Sequence, residues 1–188
     1  DRGYPDAGLF EIGPQYADDT PEGQALVAAG IRSGVAVGRH WTGPARAVDA
    51  YDAKADALAA LAALAAPVDN LQTSTDAPAW YHPGRSGVLR LGPVAVARFG
   101  ELHPAVLQAM SVKGPVVAFE VMLDAVPLPR SKGGHARPAL SLSPFQPVTR
   151  DFAFLVDEAV AAEAIQRAVR AAERKLLAGV RVFDVYRG

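Results

Sequence analysis

The sequence predicts an α+β fold: an antiparallel sheet with covering helices, then a short β-α-β segment. Three observations predict it. Two short β-rich runs, Ser86–Leu91 and Val94–Phe99, flank Gly92-Pro93, which reads as a tight antiparallel turn. A third apolar run, Pro115–Leu123, is too β-branched and too short for a helix, so it returns as a strand. Beyond residue 149 the apolar spacing goes from strand-like to helical and back.

The elements follow in order. Leu9-Phe10-Glu11-Ile12-Gly13 is a short strand ended by Gly-Pro. Asp18 to Gly30 is polar and then Ala-rich, a loop with a short helix, and Ile31–Trp41 reads as a strand. From Val48 to Ala66 a helix is expected. Asp52 can cap it, Asp56 sits in its first turn, Leu58, Leu61 and Leu64 share a stripe, and Pro67 stops it. Pro104 opens a short helix that Glu101 begins.

Residues 125–143 change composition. Pro127, Pro129 and Pro138 fall here with Gly133-Gly134, Arg130, Lys132 and Arg137, and Pro144 and Pro147 follow. Proline this dense supports neither helix nor central strand, so the stretch reads as a linker containing a domain boundary. The expected domains are 1–124 and 144–188. In the second, Arg150–Val156 is a strand, Ala161–Ala178 an amphipathic helix capped by Gly179, and Val180–Tyr186 a strand. This is the first half of a split βαβ, ferredoxin-like unit. The third strand of such a unit lies between the first two and is not among these residues, so the sheet cannot close.

Composition bounds the function. The chain has 188 residues, half of them hydrophobic, and a formal net charge of −1, so it exerts no global pull on nucleic acid or membrane. It has no cysteine, which excludes disulfides, thiolate metal sites and cysteine nucleophiles. No apolar run spans a bilayer, and no signal peptide or initiator Met precedes Asp1, so the chain reads as part of something longer.

Candidate sites are few. His40, His82, His103 and His135 show no metal-ligand spacing. Gly84-Arg85-Ser86-Gly87 lacks the context of a phosphate loop, and Ser86 lacks a nucleophile elbow. Glu101, His103 and Arg85 would make an enzyme site only in one pocket with shifted pKa values, and the carboxylate pairs Glu101/Glu120 and Asp49/Asp52 face the same requirement. Arg167, Arg170, Arg174, Lys175, Arg181 and Arg187, with Phe183 and Tyr186, form the one basic stretch interleaved with aromatics. RNA surfaces look like this. So does a solvated helix face carrying Glu163 and Glu173, and composition alone favours the latter.

Several phrases are also recognisable: Leu9–Gly13, Val48–Lys54, His82–Gly87, Gly100–Pro104, Arg150–Phe154 and Phe183–Gly188. In order and spacing they resemble the β subunits of bacterial phenylalanyl-tRNA synthetases. The resemblance implies a class II synthetase-like, non-catalytic core over 1–124 and the opening of a ferredoxin-fold anticodon-binding domain over 144–188. Val116–Leu123 lacks the glycines and the Arg with which a catalytic class II core holds ATP. Aminoacylation would lie on the α subunit, ATP and magnesium would serve the whole enzyme, and magnesium ligands would lie upstream of Asp1. Implied partners are that α subunit, in a heterotetramer of two α and two β, and tRNA-Phe, in the cytoplasm. Arg150, Arg174, Lys175, Tyr186 and Arg187 are the expected tRNA contacts. The alternatives are a stand-alone enzyme using Glu101, His103 and Arg85, or an interaction module using exposed sheet edges.

Overall fold

The computed structural model describes residue 4, residues 6–128 and residues 142–187. The chain divides into two units, Asp1–Arg130 and Ser131–Gly188.

The first unit is built on a six-stranded, wholly antiparallel sheet. Its strands are β1 (Ala7–Tyr16), β2 (Gln24–Ser33), β5 (Gln72–Ser74), β6 (Tyr81–Leu91), β7 (Val94–Leu102) and β8 (Val116–Met122), in the order β1-β2-β8-β7-β6-β5. A separate ribbon pairs β3 (Val35–Val37) with β4 (Arg46–Ala47). Helix α1 (Ala50–Ala63) covers the sheet, and α2 (Pro104–Ala109) links β7 to β8.

The β6–β7 hairpin forms where the turn chemistry expects it. Leu91 pairs with Val94 across Gly92-Pro93, and Gly92 has φ +60°. Proline cannot take a positive φ, so Gly-Pro excludes the turn needing two such residues and leaves the one needing it only at the first position. The return strand β8 is the β-branched run read from the sequence; Val116, Val117, Ala118 and Val121 are all buried.

The first third of the chain departs from expectation. β1 does not stop at Gly13-Pro14 but runs on to Tyr16, with Pro14 opposite Leu26. An edge strand tolerates this, because one side of it needs no ladder donor. The Ala-rich stretch expected as a helix is instead the strand β2, preceded by a 3₁₀ turn at Pro21–Gly23. Paired with β1 on one side and β8 on the other, its backbone is satisfied twice over, and this tertiary pairing overrides alanine's helix preference. The strand expected over Ile31–Trp41 is broken at Gly34, where φ is +85°.

Helix α1 begins at a capping box, with Asp49 rather than Asp52 as its N-cap. The Asp49 carboxylate accepts from the N–H groups of Tyr51 and Asp52, and the Asp52 carboxylate accepts from the Asp49 N–H. Asp56 lies beyond the first turn and pairs with Arg32 of β2 at 2.5 Å. The stripe on the sheet is Ala53, Ala57 and Leu61, not the leucines alone, and Leu64 is exposed. Small residues at i and i+4 let the helix approach closely, so Leu61 at i+8 reaches a core of Leu89, Val96, Phe99, Val117 and Val121.

The helix ends in a Schellman motif: Ala66 N–H donates to Leu61 O at 3.0 Å and Ala65 N–H to Ala62 O at 2.9 Å. Ala65 sits at φ +56°, a position glycine occupies without penalty. Ala65→Gly is therefore expected to raise stability by about 0.5–1 kcal/mol in denaturant unfolding.

A second prediction concerns acid. Hydrogen bonding from Arg46 chiefly, then from the Asp49 N–H, holds the Asp52 carboxyl below its usual range. A carboxyl depressed in the folded state adds stability above its unfolded pKa, and that stability is lost as pH falls through the folded value. The melting temperature should fall as pH drops below about 4, and Asp52→Asn should flatten that slope.

In the second unit, α3 (Ala162–Ala172) is the only regular element among the described residues. The helix expected to Ala178 stops six residues early at the C-cap Glu173, whose carboxylate accepts from Lys175 N–H and Leu176 N–H. These bonds turn the chain and replace the Gly179 cap. The runs 150–156 and 180–186 have strand composition but form no ladder among the described residues. Residues 129–141, which hold most of the expected linker, its cations and His135, lie outside the described residues.

Candidate nucleic-acid interface

Helix α3 is strongly two-sided. Ile165 and Val169 lie half-buried on one side, with Ala168 and Ala172 on the same stripe. Arg167 and Arg170, spaced i and i+3, stand exposed on the other, and Arg174 is exposed two residues past the helix end. They line an open groove of about 380 Å³ with Ala171, Glu173 and Leu177. None of the three arginines makes an ion pair among the described residues. Glu173, the acid nearest them in sequence, is held by two backbone N–H groups, which keep its carboxyl below the usual range. The groove presents three guanidinium groups, donors whose geometry suits phosphate.

Of the five residues expected to touch tRNA, only Arg174 lines this groove. Lys175 is exposed beside it, its backbone tied to Glu173. Arg150 is exposed and donates to Thr149 O at 3.2 Å. Tyr186 is exposed, and Arg187 lies 3.5 Å from Glu158 with both side chains in solvent. Arg167 and Arg170 were absent from that set, although both belong to the basic stretch visible in the sequence.

The first unit does not assemble the acid–base cluster weighed above. Arg85 and Glu101 form a bidentate pair at 2.6 and 3.0 Å, on the rim of an open groove of about 720 Å³. Glu101 lies on β7 and does not begin the following helix. Here the strand continues because Glu101 still pairs with Val117 of β8. The helix starts at His103, whose Nδ1 accepts from Ala105 N–H at 3.1 Å. His82 Nδ1 likewise accepts from Gly84 N–H, and Ser86 Oγ donates to His82 O, which holds the His82–Arg85 bulge on β6. Both imidazoles and the serine serve the backbone. Asp49 and Asp52 are occupied by Arg46 and the capping box. Among the described residues, no three histidine or acidic side chains converge as a metal site.

A buried polar group lies at β6–β8. Tyr81 Oη and Glu120 Oε2 are both enclosed without a hydrogen-bond partner, and Arg98 lies 3.7 Å from Glu120 and over the Trp80 ring. Burial foremost, then the Glu120 charge, pushes the Tyr81 hydroxyl far above its normal pKa, so it stays protonated.

Comparison with known proteins agrees with this division. The family profile described as "Phenylalanyl tRNA synthetase beta chain CLM domain" matches residues 1–123, and that of the "Ferredoxin-fold anticodon binding domain" matches residues 143–188. The phenylalanine–tRNA ligase β subunit of Rhodospirillum rubrum is 56% identical over 187 residues, covering 100% of this chain and 23% of that protein. Those of Paramagnetospirillum magneticum and Brucella abortus are 55% and 51% identical, again over 100% of the chain and 24% of each relative. The chain thus spans about a quarter of the length of these curated relatives. With a family profile over most of its length, and with relatives more than half identical to it over the whole of this chain, the chain belongs to the phenylalanyl-tRNA synthetase β chain family.

Proposed function

We propose that this chain is a non-catalytic part of a phenylalanine–tRNA ligase β subunit, serving subunit assembly and tRNA binding. Its first unit is a class II synthetase-like core that packs on the α subunit, and its second binds the anticodon region of tRNA-Phe. The whole enzyme, two α and two β subunits in the cytoplasm, joins phenylalanine to tRNA with ATP and magnesium, the chemistry residing on α.

The observation that carries the tRNA reading is an anticodon-binding family profile lying over the segment that holds the three-arginine groove. The silent core is supported by the exit of β8. That strand runs into a 3₁₀ turn, Leu123–Ala125, whose Asp124 carboxylate accepts from Leu26 N–H at 2.8 Å. A catalytic class II sheet continues at this point into a helix bearing the arginine for ATP.

The test is a salt titration of tRNA-Phe binding. Replacing Arg167, Arg170 and Arg174 by Gln should weaken binding and reduce the slope of log K against log salt by about 2–3, near one per lost phosphate contact. Adding Arg150→Gln and Arg187→Gln should reduce it further. An unmodified chain whose tRNA affinity is indifferent to salt removes the reading.

One observation favours the interaction-module alternative. β1 is an edge strand with Leu9, Phe10 and Ile12 all exposed, a template for pairing with another chain. Growth of light scattering with concentration, in the absence of any α subunit, would support it.

A further inference from the structure

The ribbon of β3 and β4 ends in a clamped tip. His40 N–H donates to Gly43 O at 3.2 Å and Gly43 N–H to His40 O at 3.1 Å, closing a two-residue turn of Trp41 and Thr42. His40 Nδ1 accepts from Thr42 N–H at 3.3 Å and lies 2.7 Å from Thr42 Oγ1, a second brace across the turn. On this braced tip Trp41 is 96% exposed, the most exposed tryptophan the chain has, Trp80 being at 39%. Tryptophan is the side chain with most to gain from leaving water, and it is seldom left standing in it. A rigid tip loses little entropy when it is buried, so the arrangement is preorganised for insertion.

The surroundings indicate what it enters. Val35 and Val37 are exposed on β3 leading up to the tip, and Arg39 is exposed one residue before His40 with no ion pair among the described residues. The ribbon's other arginine, Arg46 of β4, is engaged by Asp49 and Asp52 at 2.9 and 2.7 Å. An RNA-stacking site needs a run of free cations beside the ring to follow the phosphates. Among the described residues of this ribbon, Arg39 is the one arginine without an ion pair, Arg46 being taken up by Asp49 and Asp52. An apolar ring with a single cation at its edge instead matches the anchors that dominate protein–protein interfaces.

We propose that Trp41 is the anchor by which the first unit docks on a protein partner, filling an apolar pocket with an acidic group on its rim for Arg39. This rests on the reading above, in which that partner is the α subunit.

The chain contains two tryptophans, so Trp80→Phe leaves Trp41 as the sole indole emitter. Titrating this variant with α subunit should shift its emission to the blue and protect it from iodide quenching. In the otherwise unmodified chain, Trp41→Ala should weaken α binding about 30-fold with an unchanged thermal melt, because the ring touches little of its own fold. Trp41→Phe should recover part of that loss, and Arg39→Gln should slow association and reduce its salt dependence. Equal α affinity of Trp41→Ala and the unmodified chain, or Trp41 emission that does not move as the complex forms, overturns the inference and leaves the family reading standing. Quenching of Trp41 by tRNA, with α binding unaffected by Trp41→Ala, overturns it in favour of RNA stacking. An unmodified chain that never associates with α removes both.

Discussion

Gly100→Ala is expected to destabilise the first unit by about 3–5 kcal/mol, read as a lowered denaturant midpoint with an unchanged slope. Gly100 has φ +148°, a backbone state that costs any other residue strain. A Cβ there would also lie 2.5 Å from Ser86 Cα and 2.6 Å from Arg85 O, both backbone atoms that cannot swing away. The crowding arises because Gly100 pairs with Ser86, where β6 rejoins β7 after the His82–Arg85 bulge. The same bulge sets the Arg85–Glu101 pair, so the variant should also loosen that contact. A change below 1 kcal/mol would mean that the bulge can relax and that the close approach is not required.

Leu61→Ala should cost about 3–4 kcal/mol. Leu61 is wholly buried where α1 meets Leu89, Val96 and Val121, and its neighbours on the helix, Ala53 and Ala57, have no spare volume to fill a cavity. Leu58→Ala, half-buried on the same helix, should cost less than half as much. Equal losses at the two positions would show that the helix faces the sheet differently.

How much of this was legible in the sequence depended on where the deciding interaction lay. The β6–β7 hairpin could be read because Gly92-Pro93 carries its own turn chemistry. The return strand β8 could be read because a short β-branched run has few alternatives. β2 could not: its Ala-rich start reads as helix, and only the ladders to β1, across a short loop, and to β8, far off in sequence, decide it. Glu101 was misjudged for the same reason, its strand pairing with Val117 being invisible from the sequence before Pro104. In the second unit, the strands read from the composition of 150–156 and 180–186 do not form among the described residues, because composition alone does not fix a pairing partner.

The candidate interfaces divide along the same line. The ridge of Arg167 and Arg170 follows from helical spacing, whereas Arg174 joins the groove from beyond the end of α3. That Glu173 is turned toward its own backbone instead of neutralising the ridge needed coordinates. Trp41 was assigned to the end of a strand, although Gly38, Gly43 and Pro44 around it are turn residues. The exclusion of an Arg85–Glu101–His103 catalytic cluster rests on geometry, since His103 spends its Nδ1 on capping α2.

Sedimentation velocity of this chain, mixed with a bacterial phenylalanyl-tRNA synthetase α subunit at micromolar concentrations, tests the assembly role most directly. The account predicts one faster boundary containing both polypeptides, lost on Trp41→Ala. Two boundaries, each moving as the separate protein does, would contradict it.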